Sequence, residues 1–396
     1  MQGQALKRRE VIRRGLAMLV FSPWLGGSPW LEKPRLSEGL SFSGAKPLYL
    51  NQNESPYGLP PRARQAAIEA LSQAHLYPHE HYVELKEKIA ARERVKTEQV
   101  ILGAGSTEIM TMAINSFGKK GEVVMAAPTY FDFEYYASLA GCRMKKVRLD
   151  KNYRHDLERL SAAVTSRTSL IYICDPHNPT GTVVGGQELK LFCQKVLAKY
   201  SPLILIDEAY YDYVDDFSYE SMISLIREGY PVLVIRTFSK IYGLAGMRVG
   251  YGLASSETIK TLEKVSTNFA SIAYPSLKAA LVALEESNFL QQVKEANARG
   301  RKFVTKSLAE QGYFVLPSQT NFVLFEIEGE AKQWAQHLEK LGVYIRDFQF
   351  NNQNWLRVTL GRQEEMEIFL NRLKQVKSSY LKIKGLPAYF AGSSRR

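Results

Sequence analysis

Along the chain, apolar positions gather into short runs rich in Val, Ile and Leu: Val100–Leu102, Glu122–Ala126, Cys142–Leu149, Ser169–Ile173, Pro202–Ile206, Val232–Arg236 and Val249–Leu253. Between them, polar and apolar residues mix over helical lengths, as in Thr107–Phe117, Tyr130–Ala140, Gln187–Tyr200 and Glu257–Thr267. Short apolar runs read as strands buried on both faces, and strands that alternate with helices connect as parallel neighbours through crossovers. The pattern predicts an α/β fold whose large, mostly parallel sheet is covered by helices on both faces.

After about Asn268 the rhythm changes. A long helical stretch, Asn288–Gln311, leads to strand candidates at Tyr313–Leu316, Asn321–Ile327, Val343–Ile345 and Leu356–Leu360, with helices over Ala331–Lys340 and Gln363–Val376. This predicts a smaller C-terminal α+β domain over residues 268–380, following an arm and large domain over 46–267. Leu48–Leu59 shows neither period and is expected to be an irregular arm.

Composition narrows the function. A hydrophobic fraction of 45% and a charged fraction of 23% are those of an ordinary folded protein. The net charge of +12 lies partly at the ends, with Lys7, Arg8, Arg9, Arg13 and Arg14 at the start and Lys377, Lys382, Lys384, Arg395 and Arg396 in or near a basic tail, 381–396. A nucleic-acid surface would instead cluster its cations on one folded face, so no nucleic-acid partner is expected. Cys142, Cys174 and Cys193 form neither a disulfide framework nor a metal motif, and Cys174 ends an apolar run as strand core.

Residues 1–35 read separately. A basic start, the apolar run Leu16–Leu25 and the small residues Gly26-Gly27-Ser28 form the outline of a secretory signal, and Arg8-Arg9 resembles the twin-arginine type. The run is too short for a stable membrane span. Export to the periplasm is one reading; an N-terminal extension on a cytoplasmic protein is the other.

Chemistry concentrates where strands end. Gly103-Ala104-Gly105-Ser106 follows a strand and opens a helix, a candidate phosphate cradle of backbone N–H groups. Asp175-Pro176-His177-Asn178-Pro179-Thr180-Gly181 leaves the strand Ser169–Ile173 and aims Asn178 at the carboxyl end of the sheet, where open α/β sheets place ligands. The next two strands end in Asp207-Glu208-Ala209-Tyr210 and in Thr237-Phe238-Ser239-Lys240, with Arg248 eight residues later. Two carboxylates directly after a buried strand are costly unless one meets a cation, a metal or a protonated ring nitrogen. Three successive strands therefore present an amide, a carboxylate and a lysine at corresponding ends.

This ordered set resembles the fold-type I, class I/II aminotransferases and spans Leu48 to about Val376. Asn51-Gln52-Asn53-Glu54, Tyr77-Pro78, Pro128-Thr129-Tyr130, Ile345-Arg346-Asp347 and Leu356-Arg357-Val358-Thr359 resemble the histidinol-phosphate aminotransferases within it. The resemblance implies pyridoxal 5'-phosphate as cofactor. Lys240 is then the lysine that bonds to the cofactor and moves the substrate proton, Asp207 the partner of the cofactor's ring nitrogen, and Tyr210 and Asn178 the donors to its ring hydroxyl oxygen. Tyr130 is expected to stack on the ring. Ala104, Gly105, Ser106, Ser239, Arg248 and Tyr77 of a second subunit are expected to hold its phosphate, which implies a homodimer with shared active sites. Arg357 is expected to grip a carboxylate as a bidentate fork, with Arg346 and Tyr274 at the far end of the substrate pocket.

The implied reaction moves an amino group between a small amine or amino acid, histidinol phosphate-like or aromatic, and a 2-oxo acid, 2-oxoglutarate. A decarboxylase or lyase on the same scaffold, acting on a substrate such as phosphothreonine, shares most of these motifs. A non-catalytic binding protein is the third reading, and the intact Lys240, Asp207, Arg248 and Arg357 argue against it.

Overall fold

The computed structural model describes residues 47–383; the signal-like segment 1–35 and the tail beyond Ile383 lie outside the described residues. Among the described residues no helix is long and apolar enough to cross a membrane, and no group of metal-ligating side chains is found.

The strands, in chain order, are β1 (Leu48–Tyr49), β2 (Val100–Gly103), β3 (Glu122–Ala127), β4 (Arg143–Arg148), β5 (Thr168–Cys174), β6 (Leu203–Asp207), β7 (Val232–Thr237), β8 (Gly250–Leu253), β9 (Phe322–Ile327), β10 (Val343–Tyr344), β11 (Arg346–Phe350) and β12 (Gln353–Thr359). Seven form one sheet in the order β2-β8-β7-β6-β5-β3-β4. Its pairs are parallel except where β8 runs antiparallel to both β2 and β7. β5, β6 and β7 are adjacent and buried along almost their whole length, which is why Val, Leu and Ile dominate them. Apolar clusters cover both faces of this sheet.

β9, β11 and β12 form a second, antiparallel sheet with its own apolar cluster under the helices Ala331–Lys340 and Gln363–Ile383. β11 and β12 are joined by Asn351-Asn352, both at positive φ, 52° and 59°. Two left-handed residues between paired Phe350 and Gln353 make the tight hairpin turn that asparagine tolerates, and the turn sets the register that follows.

Several boundaries differ from expectation. Tyr313–Leu316 is not a strand: Gly312 and Pro317 flank it, and only an isolated bridge, Val315 to Phe325, joins it to β9. β11 was not anticipated. The arm is irregular except at its start, where β1 pairs in parallel with β10 and Tyr49 stacks on Tyr344. The helix from Gln363 runs on to Ile383, and a further helix, Tyr274–Ala283, packs against Pro61–Ala70.

Candidate active site

The carboxyl ends of β5, β6 and β7 are followed by Asn178, Asp207, Tyr210 and Lys240; Asn178 and Tyr210 bond each other, and Lys240 joins them through Asn53. The loop after β5 is clamped from below by two residues that face away from it. Asp175, buried, accepts from the Val184 N–H through Oδ1 at 3.1 Å, and burial holds its carboxyl well above the usual range. His177, also buried, meets Thr180 Oγ1 through Nδ1 at 2.7 Å and the Pro128 carbonyl through Nε2 at 3.2 Å; burial holds it neutral. Between these anchors Asn178 points into the site. Its Nδ2 donates to the Tyr210 hydroxyl at 3.3 Å and its Oδ1 accepts from Arg357 Nη1 at 2.6 Å.

The two carboxylates after β6 part company. Glu208 turns to the buried Arg236, 2.9 Å from its Nη2, while Arg236 Nη1 reaches Glu93 at 2.9 Å and the guanidinium lies 3.7 Å over the Tyr211 ring. Asp207 meets no such cation. It accepts from the Tyr172 hydroxyl at 3.0 Å and the Ala209 N–H at 3.2 Å, and burial lifts its carboxyl to about 6. Lys240 directs its Nζ at the carbonyls of Asn53, 3.1 Å, and Gln52, 3.3 Å, and lies 5.6 Å over the Tyr210 ring. Burial first, then the Arg357 charge, lowers its amine to about 8.

Arg248 holds a left-handed backbone, φ 54°, and reaches Ser239 Oγ and the Ala104 carbonyl, each at 3.4 Å. It therefore bridges the loop after β7 to the loop after β2. A Cβ on Gly105 would come within 2.4 Å of Arg248 Nη2, and one on Gly250 within 2.2 Å of the Ser106 nitrogen, so both glycines keep the cradle open to close approach. Of the three cradle amides, Gly105 donates to the Gly103 carbonyl, and Ala104 to Glu108 Oε2 at 2.5 Å. Glu108 is thus an acceptor inside the cradle that sequence reading did not single out. Tyr130 begins the helix Phe131–Leu139 and donates from its hydroxyl to Asp132 Oδ2 at 2.6 Å. Tyr77 lies 80% exposed before the helix His79–Glu93.

Arg357, on β12, is only 4% exposed. Besides Asn178 it bonds the Asn51 carbonyl through Nη2 at 3.1 Å, and its Nε is buried without a partner. The guanidinium sits 5.0 Å from the Phe322 ring and 5.2 Å from the Phe348 ring. The β11–β12 register sets Arg346 directly opposite it. Tyr274 bonds His81 Nε2 at 2.8 Å and Gln73.

Sequence reading also missed Asn53. At 2% exposure and φ 56°, it donates its Nδ2 to the Tyr210 hydroxyl at 2.9 Å, exchanges bonds with Thr359, and its carbonyl accepts from Lys240 and from Asn321 Nδ2. It joins arm, lysine and β12. A positive-φ residue in an irregular arm leaves no periodic signal; the Asn-rich run Asn51-Gln52-Asn53 was the only clue.

A buried carboxylate with two uncharged donors, a lysine of lowered pKa beside it, a glycine cradle closed by an arginine and an orphaned guanidinium nitrogen fit pyridoxal phosphate and an anionic substrate. Comparisons with known proteins agree. Residues 45–373 match the family described as aminotransferase class I and II. The chain is 36% identical over 363 residues to the histidinol-phosphate aminotransferase of Moorella thermoacetica, covering 91% of this chain and 92% of that one. It is 35% identical over 370 residues to the histidinol-phosphate aminotransferase of Caldicellulosiruptor saccharolyticus, covering 93% and 99%. The solved histidinol-phosphate aminotransferase of Sinorhizobium meliloti, in complex with pyridoxal-5'-phosphate, superposes with a TM-score of 0.77 at 27% identity, covering 85% of this chain and 93% of that one.

Proposed function

The chain belongs to the class I and II aminotransferases, and from that premise we propose that it moves the amino group of a phosphorylated amine of the histidinol-phosphate kind to 2-oxoglutarate. The observation that supports anionic substrates is Arg357, a buried guanidinium with an unpartnered Nε, set opposite a second arginine. A buried cation held only by an amide, a carbonyl and two rings calls for an anion.

Pyridoxal phosphate is the cofactor of this family, and bound here it supplies a sink for the electrons left at the substrate carbon. The residues do the rest. Lys240, its amine lowered to about 8, stands partly uncharged near neutral pH and takes the proton from the carbon that bears the amino group. Asp207 would hold the cofactor's ring nitrogen and Tyr130 its ring face, while Tyr210 and Asn178 would bond the ring hydroxyl oxygen. Ser239, Arg248 and the amides of Ala104, Gly105 and Ser106 would hold the cofactor phosphate, Ala104 giving up Glu108 to do so. Arg357 takes the carboxylate of the 2-oxo acid, and Arg346, with Tyr274 beyond it, the phosphate of the amine. Tyr77, exposed on one subunit, serves the site of a second in a homodimer.

The test is an amino-donor screen with the purified holoenzyme and 2-oxoglutarate. Glutamate formed from histidinol phosphate at the highest kcat/KM is the expected result. Preference for phenylalanine would move the reading to aromatic amines. Carbon dioxide released from phosphothreonine without glutamate would overturn transfer, a reaction disfavoured by relatives at 35 and 36% identity that are aminotransferases.

A further inference from the structure

Midway along β5, between Ile171 and Ile173, stands a tyrosine. Tyr172, fully buried, stacks face to face on Phe133, with ring centroids 3.8 Å apart and planes 4° apart. Its hydroxyl donates to Asp207 Oδ2 at 3.0 Å. The β5–β6 register pairs Tyr172 with Leu205, two positions before Asp207, so tyrosine and aspartate leave the same sheet face as diagonal neighbours. Oδ1 of the same carboxylate takes the Ala209 N–H, so each oxygen holds one neutral donor.

We infer that Tyr172 is a positioning residue that acts through Asp207, its hydroxyl keeping the carboxylate ionised and aimed so that the cofactor's ring nitrogen retains its proton. The inference rests on the reading of Asp207 as the partner of that nitrogen. A carboxylate taken out of water draws a proton, and the nearest exchangeable one would be that on the ring nitrogen. If the proton moved to Asp207, the ring would be neutral and a poorer sink for electrons. A hydrogen bond to the charged form opposes this transfer by roughly tenfold or more. Burial holds the Tyr172 phenol far above its usual range, so it is always a donor, and Phe133 fixes its ring without help from substrate. Without Tyr172 the Ala209 N–H on Oδ1 would be the carboxylate's one hydrogen-bond donor from the described residues.

The experiment uses holoenzyme reconstituted with pyridoxal phosphate labelled with 15N in the ring, whose chemical shift reads protonation of that nitrogen directly. In Tyr172→Phe, which keeps the ring stacked on Phe133, the pH at which the nitrogen loses its proton is expected to fall by about one unit, and single-turnover transfer from the amino donor to slow roughly tenfold, with KM for the 2-oxo acid unchanged. Replacing Tyr172 by 3-fluorotyrosine, a stronger donor, is expected to raise that pH and gives the answer independently should the phenylalanine variant fail to fold. An unchanged titration in both variants overturns the inference. Asp207→Asn separates the two layers: if the nitrogen stays protonated there as well, the Asp207 reading is what fails, and if only the Tyr172 variants leave it unmoved, the role of Tyr172 alone is lost.

Discussion

Arg346 and Arg357 are directly opposed across the β11–β12 ladder, so two guanidinium side chains leave one sheet face as neighbours. Like charges in that relation destabilise a sheet unless something negative lies between them, and Arg357 is buried as well. Asp347 and Asp132 supply negative charge to Arg346, whereas Arg357 keeps a buried Nε without a partner, the position that the proposed anionic substrate would fill.

Arg357→Lys keeps the charge and loses the fork. We expect kcat/KM for the 2-oxo acid to fall on the order of a hundredfold, mostly through KM. Arg346→Gln is expected to weaken the phosphorylated amine by a similar factor while the 2-oxo acid changes roughly threefold or less. Steady-state kinetics of each half-reaction checks both; equal losses for both substrates would refute the division of labour.

Lys240 gives a pH signature. With the amine lowered to about 8 in the folded state, cofactor uptake by apoprotein is expected to accelerate as pH rises and to level off above about 8. In Arg357→Gln a charge that lowers the amine is gone, so the midpoint moves up. The folded state binds fewer protons than the unfolded between about 8 and the 10.5 of a free lysine, so the Lys240 contribution to stability grows with pH across that window. Stopped-flow absorbance of cofactor binding measures the first two effects, and denaturant melts the third.

Gly105→Ala places a methyl 2.4 Å from Arg248 Nη2 at a backbone φ of +80°. Arg248 is expected to be pushed off Ser239, and pyridoxal phosphate affinity to fall tenfold or more, roughly the loss of one charged hydrogen bond. Equilibrium titration of apoprotein decides it; wild-type affinity would mean that Arg248 does not serve the cofactor phosphate.

Asn53→Ala removes the bonds to Tyr210 and Thr359 and strains a left-handed residue, an expected loss of about 2–4 kcal/mol in folding free energy. Asn53→Gly relieves only the backbone part and should recover about 1 kcal/mol. Calorimetry of the two variants separates side chain from backbone.

What could be read in the sequence follows from how far each signal reaches along the chain. Asn178, Asp207 and Lys240 could be singled out because each lies at or just beyond the end of an apolar run on β5, β6 and β7, and strand ends mark themselves. Tyr172 could not, since an aromatic inside such a run looks like core until its hydroxyl is seen at Asp207. Asn53 could not, because its partners Thr359 and Tyr210 lie 306 and 157 positions away. Tyr313–Leu316 failed the other way, its composition suiting a strand but its flanking Gly312 and Pro317 leaving it a single bridge. β11 left a usable trace in Asn351-Asn352, a two-residue hairpin signal.

That turn has a consequence for how the protein can change over time. Side chains alternate across a strand with a period of two, so the pairing of Arg346 with Arg357 depends on the parity of the residues between them. Point substitutions that suit a left-handed backbone, such as Asn351→Gly, can accumulate at the tip without touching the arginine pair. Gaining or losing one codon there would turn one arginine to the opposite face. The hairpin is open to drift in identity and closed to drift in length.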